Sequence, residues 1–389
     1  MRKKIVWINQ YPSRKGGAER VIENIILSLD KSEYCNILLY KFDEELSNEF
    51  IGLFDIAFPI VNLHKQLSSI NPDNIQIHNY IDEYIFQELG KYRDISFIFL
   101  HDHKIFCPRE HKYKGIGKET CKKEMSTLDC FACCGLIQKK KSREFSIVTP
   151  HKLSKYQNFI KSCRGVVVAS KYMKRQLIDS GFEQKKIFYH ALATNFLNIA
   201  PVKAIPNEVT YFGQLETGKG VDILIRALAL CGKEIIVNII GDGKSRESLE
   251  NLALKLGVSH LVNFLGRLQD RDLKEYIGRS VACISPSRSP ETFNLAALES
   301  LSCGTPVISS KVGAYEEWYI ENITGELFES TNFKELSNIL SSIYDNREKW
   351  EMYRRLIREN FETEKFSVGV YRDFFMRKVL NLTITGKAT

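Results

Sequence analysis

No stretch of the sequence approaches the roughly 20 consecutive apolar residues needed to span a bilayer, which argues against a membrane-spanning chain. The opening residues "MRKKIVWINQ" are basic but carry only a short apolar run. They read as a first strand, not a secretory leader, and the expected setting is the cytosol. Without a secretory context, the ten cysteines are not expected to form a disulfide framework. No fixed short period repeats along the chain. No nucleic-acid recognition motif is present, and the basic segment lacks interleaved aromatics, so a nucleic-acid partner is not expected.

At 389 residues the chain is too long for one hydrophobic core, and two domains of about 150–200 residues are the natural division. Its 44% hydrophobic and 26% charged residues suit a globular protein. The net charge of +8 is uneven: residues 101–175 hold 18 Lys and Arg against 6 Asp and Glu, or +12, leaving −4 for everything else. Such a basic segment suits an anionic membrane surface or a phosphorylated ligand, or is simply a solvated lysine-rich insertion. Cysteine is uneven too. Cys107, Cys121, Cys130, Cys133 and Cys134 fall within 28 positions, whereas Cys35, Cys163, Cys231, Cys283 and Cys303 are scattered like small core residues.

Short β-branched runs alternate with amphipathic stretches. Strands are predicted at 4–9, 36–40, 73–80, 95–103, 165–170 and 186–192, with helices at about 18–29, 81–90 and 171–180. The segment at about 104–146 has little periodicity and interrupts the rhythm. A looser stretch at 193–208, with two prolines, marks a domain boundary. A second series follows, with strands at 209–213, 234–241, 261–266, 281–287 and 306–310 and helices between several of them. Beyond Gly325 the chain reads as mainly helical. Two such series predict two doubly wound α/β domains, at 1–195 and 196–365, with 366–389 as a carboxy-terminal helix returning to the first. Open parallel sheets bind ligands beyond the carboxyl ends of their strands, and two facing domains would place a site in the cleft between them.

The stretch "PETFNLAALESLSCGTPVI" (290–308) has two glutamates eight residues apart, an apolar helix between them and a Gly-Thr-Pro-Val turn behind. It resembles the Glu-x7-Glu signature of the retaining glycosyltransferases of family 4, which have the GT-B fold. "YFGQLETGKGVDILIRAL", "NIIGDG", "VNFLGRL" and "VGAYEEWYIENITGELF" resemble further blocks in the expected order, as do "GGAER", "IHNY" and "HDHKIFCPR" in the first half. The resemblance runs from about residue 4 to 360. It implies a retaining hexosyltransferase, of the kind that builds bacterial surface polysaccharide such as O-antigen or capsule. The donor would be a nucleoside diphosphate sugar, most naturally UDP-linked, and the acceptor a glycan or polyprenyl-diphosphate-linked lipid.

The resemblance implies roles residue by residue. Glu291 would touch the donor sugar and Glu299 the nucleotide ribose, with Phe293, Asn294 and Leu295 at the entrance of the helix between them. A helix amino terminus offers free N–H groups and positive dipole to a diphosphate. Glu299, beside the apolar stripe of Leu295, Leu298 and Leu301, needs a partner, which ribose hydroxyls or a structural salt bridge would supply. Lys219 would neutralise the leaving diphosphate. Such enzymes use no catalytic metal, so side-chain cations and dipoles carry the charge. Gly213, Gln214 and Gly241 close the donor-side strands. Gly16 and Gly17 follow the first strand, as a phosphate- or sugar-approaching turn or a plain tight one. His101 would face the donor sugar. The implied front-face attack uses the leaving phosphate oxygen as base, so His101 orients and stabilises charge. Asp102 and His103 alternate in direction if their strand continues, and are assigned to the acceptor side or to structure.

Two positions depart from the family pattern. Gln214 stands where an arginine is common, and Arg288 is a candidate replacement for that cation or a surface residue. Asn294 stands where the family favours glycine.

Cys107, Cys121, Cys130 and Cys133, with one C-x-x-C pair, suit a closed structural zinc site, or are reduced free thiols. Lys112, Lys114, Lys118, Lys122, Lys123, Lys139, Lys140, Lys141 and Arg143 crowd the same segment and suggest peripheral attachment to an anionic membrane. Two other readings remain open: a sugar-nucleotide epimerase on a related fold, and a non-catalytic nucleotide-sugar-binding scaffold.

Overall fold

The computed structural model describes residues 2–14, 16–41, 46–79, 82–115, 117–133, 137–139, 145–197 and 199–380. The chain forms two compact units. One comprises 1–110, 124–193 and the segment from Phe366; the other comprises His111–Lys123 and Thr194–Lys365.

The first unit is built on seven strands: β1 (Lys3–Asn9), β2 (Tyr34–Tyr40), β3 (Ile56–Pro59), β4 (Asn74–His78), β5 (Ser96–Leu100), β8 (Gly165–Val168) and β9 (Ile187–Tyr189), between which β6 (Ile137–Lys139) and β7 (Phe145–Ile147) form a separate antiparallel pair. The seven run parallel in the order β3-β2-β1-β4-β5-β8-β9. Their Val, Ile, Leu and Phe runs are buried because helices cover both faces of a parallel sheet. Trp7, fully buried, stacks on Phe375 of the returning carboxy-terminal segment, with ring centroids 5.8 Å apart.

The second unit has six parallel strands, β10 (Glu208–Phe212), β11 (Ile236–Ile240), β12 (Val262–Gly266), β13 (Ala282–Ser285), β14 (Val307–Ser310) and β15 (Gly325–Phe328), in the order β12-β11-β10-β13-β14-β15. The order reverses at β10, so the loops after β10 and β13 diverge there and leave a crevice at the strands' carboxyl ends. Its core gathers Val209, Tyr211, Leu224, Leu228, Val237, Ile239, Leu298 and Trp350, each at most 4% exposed.

Several boundaries differ from the sequence reading. The strand predicted to 103 stops at Leu100, so His101, Asp102 and His103 lie in a loop and the alternation argument does not reach them. The Asp102 carboxylate caps that loop, accepting from Lys104 N–H at 2.9 Å. The helices Pro150–Ser162 and Asp270–Arg279 and the strands β3 and β15 were not anticipated. Cys134 and the basic run 140–143 lie outside the described residues.

Candidate functional site

The loops leaving β10 and β13 carry the candidate donor residues of the second unit. After β10, Gly213 and Gly241 meet back to back. Gly241 has φ +134°, and a Cβ there would lie 1.9 Å from the Gly213 carbonyl oxygen, so only glycine lets the ends of β10 and β11 approach this closely. Gln214 is exposed, and its carbonyl accepts from Tyr211 Oη at 2.7 Å. The chain then makes a short 3-10 turn, Thr217–Lys219, before the helix Val221–Cys231.

Lys219 and Glu291 meet. Lys219 Nζ donates to both carboxylate oxygens, at 2.9 and 3.0 Å. The Ser287 hydroxyl donates to Oε1 of the same carboxylate. The lysine side chain is 35% exposed and the glutamate 16%, so the pair is partly solvated and not in the core. Burial and the nearby Glu291 charge hold the Tyr211 phenol well above its usual range, so it stays protonated and keeps its bond to Gln214.

Arg288 does not lie free in the crevice. Its guanidinium, 4% exposed, forks onto Asp222 at 2.9 and 2.8 Å and also donates to the Thr217 carbonyl. Asp222 is in the first turn of the helix Val221–Cys231. Both backbone N–H groups of Arg288 and Ser289 donate to the Gly218 carbonyl, at 2.9 and 3.0 Å. These bonds weld the turn bearing Lys219 to the loop bearing Glu291. In this geometry Arg288 organises the loops and does not replace the cation absent at Gln214.

Asn294 explains its own departure from glycine. It is the amino cap of the helix Leu295–Ser302 and has φ +70° and ψ +67°, the left-handed region. Asparagine tolerates that region better than other non-glycine residues. Its side chain adds two bonds that glycine lacks: Oδ1 accepts from Ala297 N–H at 3.3 Å and Nδ2 donates to Ser285 Oγ at 2.9 Å. Phe293 is 1% exposed beneath the cap, Leu295 is half-buried, and Glu299 is 4% exposed on the same helix.

The first unit holds a separate constellation. His78, at the end of β4, and His101, just past β5, share a hydrogen bond, Nδ1 to Nε2 at 2.9 Å. Phe99 stacks on His78 with centroids 4.2 Å apart. Burial pushes His101 down from 6.5 to about 4 and His78 well below its usual value, so both rings are neutral at pH 7. A neutral His101 ring offers hydrogen bonds and no charge. Glu19 underpins the Gly16–Gly17 turn: its carboxylate accepts from Gly16 N–H at 3.0 Å and from Asn9 and Asn79 side chains at 3.1 Å. Burial raises the Glu19 pKa against the lowering effect of these donors. Gly16 has extended backbone, and a Cβ on Gly17 would meet nothing within 4 Å, so the fold itself does not demand glycine at 17. Sequence reading passed over Glu19, Asp222 and Ser287. Glu19 stands three residues after the amino cap Gly16, the capping-box spacing that could have found it. The partners of Asp222 and Ser287 come from another element or lie across a loop, and no spacing rule names them.

The expected zinc ligands do not form a set. Among the described residues, no three His, Cys, Asp or Glu side chains gather closely enough to hold a metal ion. Cys107 follows the turn after β5 in the first unit, Cys121 closes a hairpin in the second, and Cys133 Sγ donates to the Cys130 carbonyl at 3.4 Å.

The architecture, two parallel sheets of seven and six strands with covering helices, is that of the GT-B glycosyltransferases. Anabaena HepE in complex with UDP and glucose superposes with a TM-score of 0.75 at 17% identity, over 98% of this chain and 100% of that one. WaaG, a glycosyltransferase involved in lipopolysaccharide biosynthesis, gives 0.68 at 14% identity, over 96% and 99%. At such identities the likeness is one of fold. Residues 197–363, which include Lys219, Glu291 and Glu299, match the family model for glycosyl transferases group 1. An uncharacterized glycosyltransferase of Methanocaldococcus jannaschii is 30% identical over 214 residues, 53% of this chain and 57% of the relative. A glycogen synthase of Mycobacterium tuberculosis is 29% identical over 162 residues, 41% and 39%. The chain thus spans about half the length, or less, of the curated relatives it matches.

Proposed function

We propose that this protein is a retaining glycosyltransferase that takes a hexose from a nucleoside diphosphate sugar, UDP-linked, and passes it to a glycan or lipid-linked acceptor in the assembly of surface polysaccharide. The observation that carries the reading is the Lys219–Glu291 ion pair at the carboxyl ends of β10 and β13, inside the segment that matches the group 1 model. The neighbours crystallised with UDP and UDP-glucose support the choice of donor.

In this reading Lys219 and Glu291 are each other's counter-ions until donor arrives. The diphosphate carries more negative charge than one carboxylate and takes Lys219 together with the N–H groups of the helix Leu295–Ser302. Glu291, released, turns to the sugar hydroxyls, and Glu299 takes the ribose. The acceptor oxygen bonds to the anomeric carbon as the bond to the diphosphate oxygen breaks. The acceptor proton passes to that leaving oxygen, and charge compensation comes from Lys219 and the helix dipole. The acceptor sits against the first unit near Gly17 and His101. The Gly16–Gly17 turn approaches the donor, and the neutral His101 faces the donor sugar and orients it by hydrogen bonding.

No helix among the described residues is long and apolar enough to cross a membrane. The basic segment favours attachment to the inner face of an anionic membrane, where each lysine near the surface is worth about 1 kcal/mol. Incubation with UDP-, GDP- and ADP-sugars, with and without membrane lipid extract, tests the function. Nucleotide release that depends on the extract is the expected result. Extract-independent turnover with an epimerised sugar would instead identify an epimerase, and binding without release a scaffold.

A further inference from the structure

The segment His111–Lys123 belongs by its contacts to the second unit, although the chain on both sides of it belongs to the first. It folds as a small hairpin. Cys121 N–H donates to the Lys112 carbonyl at 2.7 Å, Lys114 N–H donates to the Glu119 carbonyl at 2.8 Å, and Tyr113 and Thr120 form an antiparallel bridge between them.

The hairpin is seated on the two loops that hold the Lys219–Glu291 pair. Thr120 Oγ1 donates to the Arg288 carbonyl at 2.7 Å and lies 3.2 Å from the Ser330 hydroxyl. Ser330 Oγ in turn points to the Ser287 carbonyl at 3.5 Å. Tyr113, 9% exposed, covers the other loop: a Cβ on Gly218 would come within 3.4 Å of its ring. Gly218 is the residue whose carbonyl receives the Arg288 and Ser289 N–H groups. One short hairpin therefore touches the turn before Lys219 and the strand-to-helix loop before Glu291.

We infer that this hairpin is a working part of the nucleotide-sugar site, with Thr120 a positioning residue that fixes the 287–291 loop and so aims the Glu291 carboxylate at the donor sugar. This rests on the reading of Lys219 and Glu291 as the donor site. The physical demand is plain. A binding carboxylate is productive only when held within about 0.5 Å of its place, and a loop is less rigid than a strand or helix. A bond from the Thr120 hydroxyl to a backbone carbonyl three residues upstream of Glu291 adds a restraint from outside to those the loop already has through Gly218 and Asp222.

The test compares Thr120→Val, which keeps the shape and removes the hydroxyl, with Thr120→Ser, which keeps the hydroxyl. Two readouts are taken on the full chain. The first is hydrogen exchange at the Arg288 and Ser289 amides. The second is the affinity, by calorimetry, for UDP alone and for whichever UDP-sugar of a panel the unaltered protein binds best. We expect Thr120→Val to speed exchange at both amides and to weaken the UDP-sugar about 3- to 10-fold, with UDP alone unchanged, and Thr120→Ser to restore both. Unchanged exchange would overturn the brace. Faster exchange with unchanged UDP-sugar affinity would overturn the positioning role while leaving the donor-site reading intact. Failure of the unaltered protein to bind any donor would overturn that reading and this inference together. Should Thr120→Val not fold, loss of the selective UDP-sugar effect in Tyr113→Leu would count against the hairpin in the same way.

Discussion

Lys219 Nζ lies 2.9 and 3.0 Å from the two carboxylate oxygens of Glu291, so the cation and anion proposed to hold a nucleotide sugar are paired with each other. The pairing keeps both side chains in position and makes the carboxylate a competitor of the incoming diphosphate. Glu291→Gln is therefore expected to bind UDP alone as tightly as the unaltered protein, or about 3-fold tighter, while losing sugar transfer at least about 100-fold. Lys219→Ala is expected to weaken UDP about 10-fold or more. Calorimetry with UDP separates the two; equal weakening in both variants would mean that the pair acts as a structural bridge.

Asn294 sits in the left-handed region with its side chain capping a helix. Asn294→Gly should leave stability within about 0.5 kcal/mol, because glycine accepts the backbone conformation and is a tolerable cap. Asn294→Ala should cost about 1–2 kcal/mol, from the strained conformation and the lost cap together. Urea denaturation followed by circular dichroism measures both. Equal losses would contradict the backbone explanation.

Arg288 is buried and neutralised by Asp222. Asp222→Asn leaves a buried guanidinium without its counter-charge and is expected to cost about 3 kcal/mol. Its loss should appear in the thermal midpoint, with proportionally greater exchange in the 287–291 loop. A neutral outcome would show that the fork contributes nothing to holding the loops.

His101 gives a pH dependence with a definite sign. Its folded value of about 4 lies below its ordinary 6.5 because burial disfavours the charged ring. The unfolded chain therefore binds this proton first. Stability from this group is complete above about pH 6.5 and is lost as the pH falls towards 4. Asp102 opposes the shift and Lys104 adds to it, both more weakly than burial. His101→Asn should flatten the fall in thermal midpoint between pH 6.5 and 4.5. An unchanged slope would place the titrating groups elsewhere.

Much of the fold is legible because parallel strands are buried on both faces and read as unbroken apolar runs, as "KIVWIN" and "EIIVNIIG" do. The strand β15, "GELF", escaped notice because it starts with glycine and is only four residues long at a sheet edge. The strand predicted to 103 overran because His, Asp and His follow an apolar run without a glycine or proline to mark its end. The glutamates, Lys219 and the Asn294 anomaly were visible through the resemblance of local motifs. Partner choice was not. Nothing in "SPSRSPE" shows that Arg288 faces Asp222, 66 residues away, or that Thr120 reaches the same loop from a segment the rhythm of elements assigns to the other half. Pairings across a sheet or between loops are set by topology, which periodicity does not encode.

The most direct measurement is extract-dependent nucleotide release by the unaltered protein beside Lys219→Ala and Glu291→Ala, on the UDP-sugar that supports the highest rate. The account requires release by the unaltered protein and loss of at least about 100-fold in both variants, with the thermal midpoint preserved. Full activity in both variants would contradict it.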